Sequence, residues 1–465
     1  MDWETSFDEY LEHLCEAVRH SDRHSGLIGY CQGLMLPIRR KSVEPLAAHL
    51  EPQRVSARHQ SLHHFVSKSE WSDAALLEQV RRWVLPHMDP AKGLYWIIDD
   101  TGFPKKGKHS VGVARQYCGQ LGKQDNCQVA VSLSVATEEA SLPVAYQLYL
   151  PQEWADDPLR RAQAGVPDEI GFATKPQIAL TQMREARQSG APDGVVLADA
   201  GYGNDTAFRD ALSEIGLQYA VGIQSSTRVW APGTAPLPAA SSGGKPGRPR
   251  SLQRRVPGHQ PASVKELAVG LDASRYRTVS WREGTRATLS SRFAAVRVRA
   301  SHRDYWRPTP RDEEWLLVEW PDGEPEPIKY WVSTLAAGTP VDRLVQVAKM
   351  RWRIERDYQD LKQEFGLGHF EGRGWRGFHH HASLCIAAYG FLVAQRLIQG
   401  SGKKTLRSAT HLAYPRTTCH AAPQRAQRHV ADSIATLRWC IAAHVAKRLQ
   451  RCPFCSSAST YFMTQ

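Results

Sequence analysis

Three acidic positions stand where carboxylates can do chemistry. Glu355 lies in the segment Thr339–Arg373, with Arg351 four residues before it and Lys362 seven after it. On a helix that spacing puts all three on one face. Such a face can be a solvated row of ion pairs. Next to the apolar Leu344 and Val347, a Glu held by two cations can also ligate a metal in a phosphate-handling site. Asp99 and Asp100 occur in IIDDTGFPKKGK, and Asp199 in VVLADAGYG. Taken singly, each Asp is ordinary turn chemistry at a strand end.

The elements that must position these acids follow from periodicity. Thr339 to Phe365 reads as one continuous helix. Thr339 is its expected cap, Pro340 fits the first helical position, Asp342 favours the first turn, and Gly366 and Gly368 stop it. Ile354, Tyr358, Leu361 and Phe365 form its apolar stripe. Upstream, Leu94–Asp99 reads as a strand, and Val129–Val135 and Leu142–Leu148 alternate as half-buried strands do. A helix is expected from Pro176 to Gln188, a strand at Val195–Ala198, a helix ending at Gly216, and a strand at Gln218–Ile223. The order βββαβαβ predicts an α/β fold of the RNase H-like type: a mixed sheet with helices on both faces, completed by the Thr339–Phe365 helix.

In that fold the first and fourth strands are neighbours, so Asp99 or Asp100 at the end of one meets Asp199 at the end of the other, with Glu355 crossing beside them. Converging carboxylates repel unless cations lie between them. Mg2+ suits an all-oxygen site that leaves room for phosphate and water, and Mn2+ can stand in. Two such ions about 3.5–4 Å apart drive in-line phosphoryl transfer, the chemistry of DNA cleavage and joining. Periodicity leaves Asp99 and Asp100 as alternatives, because both faces of the strand are expected to be covered.

The remaining chain divides around this core (residues 91–223 and 334–398). Residues 1–90 read as helical: Ser72 caps a helix with Leu76, Val80, Trp83 and Val84 on one face, and Pro86 ends it. Arg54, Arg58, His59, Lys68, Arg81 and Arg82 make this region basic, as a DNA-binding region or as a cap on the next domain. Residues 224–333 read as a β-rich insertion that opens with a basic linker, 231–262, rich in Pro, Gly and Ser. Thr278–Arg282, Phe293–Arg299, Trp315–Trp320 and Ile328–Ser333 are its strand candidates, with a turn at Pro321-Asp322-Gly323. Lys245–Arg250, KPGRPR, is similar to an AT-hook; Arg248 and Arg250 would reach into a narrow minor groove. After Arg373 an apolar run reads as a buried helix, and its entry residues His379, His380 and His381 are expected to carry no chemistry. Residues 399–465 hold one expected helix, near Ile434–Leu449.

Arg351, Glu355 and Lys362 match the last three positions of the Y-x2-R-x3-E-x6-K signature of the IS4-like DDE transposases; Ala348 stands at the Tyr position. From about Arg58 to about Arg396 the chain most resembles the IS701 family. Asp99-Asp-Thr101 resembles the D-x-T around the family's first acid, which favours Asp99 over Asp100. Asp199-Ala-Gly-Tyr202 resembles the D-R-G-Y around the second, with Ala200 in place of Arg. The resemblance implies Asp99, Asp199 and Glu355 as metal ligands and Arg351 and Lys362 at DNA phosphates. Lys105, Lys106 and Tyr202 are further expected DNA contacts. Tyr330 and Trp331 lie near the place where relatives stack a flipped base, or else fill the sheet core. The implied activity is Mg2+-dependent cleavage and strand transfer of an element's terminal inverted repeats, by a homo-oligomer holding two ends. A metal-dependent nuclease on the same fold and a non-catalytic DNA-binding derivative are the alternatives.

Composition agrees with a polyanionic partner. The 465 residues carry 59 basic and 47 acidic side chains, a net +12, so double-stranded DNA is favoured. No run of about 18 apolar residues is evident, and the acidic N-terminus MDWETSFDEYLEH is unlike a signal peptide, so no membrane is expected. The nine scattered cysteines suit a reducing, cytoplasmic setting. Cys452 and Cys455 form a CxxC that could take zinc with Cys419 and His420, though free thiols in a tail are the commoner case.

Overall fold

The computed structural model describes residues 3–239, 251–283, 288–399 and 433–452. The KPGRPR segment lies outside them, as do Cys419, His420 and Cys455. Five helices come first: α1 (Trp3–Cys15), α2 (Ser21–Met35), α3 (Val43–Leu50), α4 (Val55–Ser67) and α5 (Asp73–Val84). Ser72 caps α5 through the Ala75 N–H, as expected. Four strands follow, β1 (Tyr95–Pro104), β2 (Ala114–Cys118), β3 (Lys123–Ala136) and β4 (Ser141–Leu148), then α6 (Gln152–Ala155), α7 (Pro158–Ala164) and α8 (Lys175–Gln188). Next come β5 (Val195–Ala198), α9 (Ala200–Gly203), α10 (Thr206–Glu214) and β6 (Tyr219–Ile223). The insertion contributes β7 (Arg228–Trp230), β8 (Ala262–Ser263), α11 (Val264–Val269), β9 (Arg277–Glu283), β10 (Thr288–Ala300), β11 (Glu314–Glu319) and β12 (Lys329–Ser333). Four helices close the chain: α12 (Val341–Lys349), α13 (Trp352–Gln363), α14 (Trp375–Ile398) and α15 (Ile434–Arg448).

The strands join in one sheet, ordered β2-β3-β1-β5-β6-β12-β11-β10-β7-β8, with β4 on β3 and β9 on β10. β1 runs antiparallel to β3 and parallel to β5, and β5 parallel to β6. That is the expected RNase H-like core, β4-β3-β1-β5-β6. The insertion does not fold apart from it: β12 pairs antiparallel with β6, Tyr330 opposite Ile223 and Ser333 opposite Ala220, so the sheet runs on without a break. The four strand candidates of the insertion are present, and Gly323 takes the left-handed conformation that their turn requires.

Two expectations change. β1 does not end at Asp99; it continues to Pro104, because the long β3 pairs with it from Tyr95 to Pro104. Both aspartates therefore lie inside the strand, and Asp100 closes no turn. The continuous helix is two helices. At Met350–Arg351 the bonds Met350 N–H to Val347 O, Arg353 N–H to Met350 O and Ile354 N–H to Arg351 O span three residues instead of four, a tightening that lets the axis change direction. α12 packs on β9 and β10 of the insertion and on β5 and β6, and α13 on β1 and β4, so each half follows its own part of the twisted sheet. The first half begins at Val341 after Pro340, with no side-chain cap from Thr339. β2 and the short helices α6, α7 and α11 were not anticipated.

Helices α1, α2, α4 and α5 pack around α14, nearly all of which is buried, and α3 packs on α2 and α4. By length and composition α14 could cross a membrane, contrary to the expectation that no such run exists, but it is a core helix here, packed on α2, α4, α5 and β4. The three histidines are buried within it. His379 accepts from the Leu148 N–H, His380 stacks on Trp71 with centroids 3.6 Å apart, and His381 meets Tyr30 Oη at 2.8 Å. The N-terminal helices are thus a cap on the sheet, and Arg81, which donates to Val144 O on β4, joins the two.

One close approach places the second acid. A Cβ on Gly203 would run into the carbonyl oxygen of Gly222, and one on Gly222 would come within 3.0 Å of the Ala200 nitrogen. α9 therefore lies backbone to backbone on β6, and Asp199 is its N-cap. Gly203→Ala should destabilise the protein by about 1–3 kcal/mol through overpacking, read as a lowered urea midpoint. An unchanged midpoint would contradict this packing.

Candidate active site

Alternation along β1 separates the two aspartates. Tyr95 and Ile97 pack with Leu197, Val347, Ile354 and Tyr358, while Trp96 and Ile98 belong to the core on the other face. Asp99 therefore faces α12 and α13, and Asp100 faces α8. Asp100 pairs with Lys175, at the start of α8, at 2.8 Å. Asp99 accepts from the Asp100 N–H at 2.9 Å and from Arg351 Nη1 at 3.0 Å. Arg351 also reaches Glu355 Oε1 at 3.4 Å. Asp199 accepts from the Gly201 N–H at 2.8 Å.

The charges show what converges. The Asp99 side chain is 16% exposed and that of Glu355 is 67% exposed, so one is the floor of the site and the other its rim. Burial pushes the Asp99 carboxyl up to about 7; Arg351 opposes this, and Asp199 and Asp100 add to it. For Arg351, burial works against the charge, yet Asp99, Asp199 and Glu355 together hold its pKa above the ordinary value. One guanidinium thus feels all three acids, which come from β1, the end of β5, and α13. Among the described residues no three acidic, His or Cys side chains are close enough to form a metal cluster directly; Arg351 lies between Asp99 and Glu355.

The helix that carries Glu355 is held from below. Asp357, fully buried, accepts from Ser141 Oγ at 2.5 Å and from Tyr389 Oη at 2.8 Å. Burial raises its pKa to about 6. Tyr358 Oη meets Ser132 Oγ at 2.8 Å, and Ser132 is the cross-strand neighbour of Asp99. Asp357 was overlooked as a surface charge. Its spacing of three from Ile354 and four to Leu361 was a usable signal that it lies on the buried face.

The other expected contacts are scattered. Lys362 donates to Gly102 O at 3.2 Å and lies 5.1 Å from the Phe103 ring centroid, beyond the acids along β1. Lys105 donates to Phe370 O at 3.1 Å, so its ammonium is tied to the protein, whereas Lys106 is exposed. Tyr202 is not a surface contact: it is buried, with Asp100 and Asp99 among the charges acting on it. Tyr330 is buried, donating to Pro327 O, and Trp331 is half-buried near Lys349, so both fill the sheet here. Arg248 and Arg250, and the zinc site proposed at Cys452 and Cys455, cannot be placed, since Arg248, Arg250 and Cys455 lie outside the described residues.

Comparison with known proteins adds two findings. A family model described as DDE superfamily endonuclease matches residues 13–288, which include Asp99 and Asp199 and stop before Glu355. A relative from Microchaete diplosiphon, named "Probable transposase for insertion sequence element IS701", is 36% identical over 168 residues, which is 36% of this chain and 41% of the relative.

The raised Asp99 pKa predicts a pH dependence. The folded value, about 7, exceeds the unfolded one, near 3.8. The stabilisation is therefore complete below pH ~4 and is lost as pH rises towards 7, by at most about 4 kcal/mol. In urea melts with EDTA, Asp99→Asn should gain stability relative to the wild type between pH 5 and pH 8. Parallel pH profiles for the two proteins would contradict the assignment.

Proposed function

The chain belongs to the DDE superfamily endonucleases, and we propose that it is a transposase of the IS701 kind, which cuts the ends of its own element and joins them to target DNA. The observation that carries this reading is Arg351, which bonds Asp99 on β1 at 3.0 Å and reaches Glu355 on α13 at 3.4 Å, with Asp199 at the end of the neighbouring strand β5. The similarity to an IS701 transposase over part of the chain supports it.

The donor set fits a hard divalent cation, Mg2+ or Mn2+: every candidate ligand is a carboxylate, and Asp99 is short of positive charge. Asp99 and Asp199 would hold the metal and Glu355 would complete the set. When bound, Mg2+ supplies activation of the attacking oxygen and charge stabilisation at the leaving one. With the metal bound, Arg351 would be available to a phosphate, which its planar fork suits. Lys362, one step along β1, would hold the adjoining strand. The fixed α13 keeps Glu355 on the rim, where it can meet the DNA. Double-stranded DNA is the substrate, water the nucleophile of the first cut, and the freed 3′-OH that of the second step.

Asp199→Ala and Glu355→Ala should lose cleavage while still shifting an end-containing duplex in a gel, because binding is spread over many basic residues. Wild-type cutting by Glu355→Ala would overturn the site. Asp99→Asn should abolish Mg2+-dependent cleavage. Asp100→Asn should keep most of it and lose no more than about 1 kcal/mol of stability, the usual worth of a partly exposed pair. Activity lost only in Asp100→Asn would reverse the assignment. Cleavage without any joined product would point instead to a nuclease.

A further inference from the structure

The insertion carries a second constellation at the opposite end of the sheet from the acids. β10 runs antiparallel to β11, which follows the direction of β6 and β5, so its C-terminal end leads away from Asp199. Four strand steps separate β5 from β10. At about 4.8 Å each, with some five residues of rise along β10, the two places are on the order of 25 Å apart.

Past β10, the one-turn helix Asp304–Trp306 presents Tyr305 and Trp306 to solvent, 45% and 57% exposed, with ring centroids 5.6 Å apart. The turn is rigidly held. Asp304 is 1% exposed, and its carboxylate accepts from Trp230 Nε1 at 2.7 Å and from Arg255 Nη2 at 2.7 Å. Arg303 adopts a left-handed backbone, φ 52°, uncommon for a residue with a side chain. Its guanidinium lies 4.8 Å from the Trp306 ring centroid, and among the described residues it makes no ion pair. Arg255 lies 5.5 Å from the Tyr305 centroid. Burial, then Arg303, Arg311 and Arg209, hold His302 below its ordinary value, and Asp210 opposes them.

We propose that this tip is a second DNA contact, on which duplex flanking the cleavage point rests, with Arg303 at the phosphates and Trp306 and Tyr305 against the minor-groove edge. The inference rests on the proposed function for the presence of DNA, and on the tip alone for the place. Exposed aromatics beside a guanidinium that makes no ion pair among the described residues suit a partner that offers both charge and flat apolar edges. Duplex DNA offers both, in the phosphates and the sugar and base edges of its minor groove.

The test uses the full-length protein and a fluorescent 40-bp mixed-sequence duplex. The double variant Arg303→Ala/Trp306→Ala should bind about tenfold more weakly, with the slope of log affinity against log salt reduced by about one. The variant Arg303→Lys/Trp306→Tyr should recover most of both, which separates contact loss from misfolding. Unchanged affinity and slope in the double variant, beside a binding wild type, would overturn the tip and leave the proposed function standing. So would a change of oligomeric state with DNA binding intact. A wild type that binds no duplex would instead overturn the DNA reading itself.

Discussion

A buried carboxylate must be met by positive charge or take up a proton. Asp99 is the place where this protein faces that choice. It sits mid-strand in the sheet, on the face covered by α12 and α13, and Arg351 bonds it at 3.0 Å. One guanidinium is not enough, since the carboxyl remains displaced to about 7. The rest of the architecture follows from holding that imbalance in place. β3 pairs with β1 far past the acids, α9 is pressed against β6 so that its N-cap is Asp199, and Asp357 locks the helix that carries Glu355. A site short of cations is suited to accept metal and to let Arg351 turn to a phosphate.

The sheet explains how so large an insertion can be tolerated. β12 pairs with β6, so an edge that would otherwise expose unpaired N–H and C=O groups is continued by the insertion. α12 then rests on insertion strands β9 and β10 and on core strands β5 and β6, and α13 on β1 and β4. The break between them falls at Arg351, the residue shared by the acids. The insertion is thus mechanically joined to the helix that bears Glu355.

Much of this was legible from residues alone. The wholly apolar Val195–Ala198 and the alternation of Leu142–Leu148 located strands closely, and the apolar stripe of α13 located the face that packs. The misses have physical causes. The break at Met350–Arg351 carries no Pro or Gly, because tertiary packing bends the helix, and packing is not written locally. The length of β1 depends on β3, a partner remote in sequence. Asp99 and Asp100 could not be separated by type, since they are identical, adjacent residues and both faces of the strand are covered. Tyr202 and Lys105 read as DNA contacts in a linear motif, but Tyr202 is buried and Lys105 is tied to the Phe370 carbonyl; Tyr330, for which stacking and sheet core were both open, is buried.

The central claim is that Asp99, Asp199 and Glu355 surround one metal-binding place. Fe2+ can replace Mg2+ in such oxygen sites, and with ascorbate and peroxide it generates radicals that cut the nearby backbone. Mapping the fragments of the full-length protein measures directly which segments lie at the metal. The account predicts cuts near Asp99, Asp199 and Glu355 together, suppressed by excess Mg2+ and absent in Asp99→Asn. Cuts confined to one of these segments, or clustered elsewhere and indifferent to Mg2+, would contradict it.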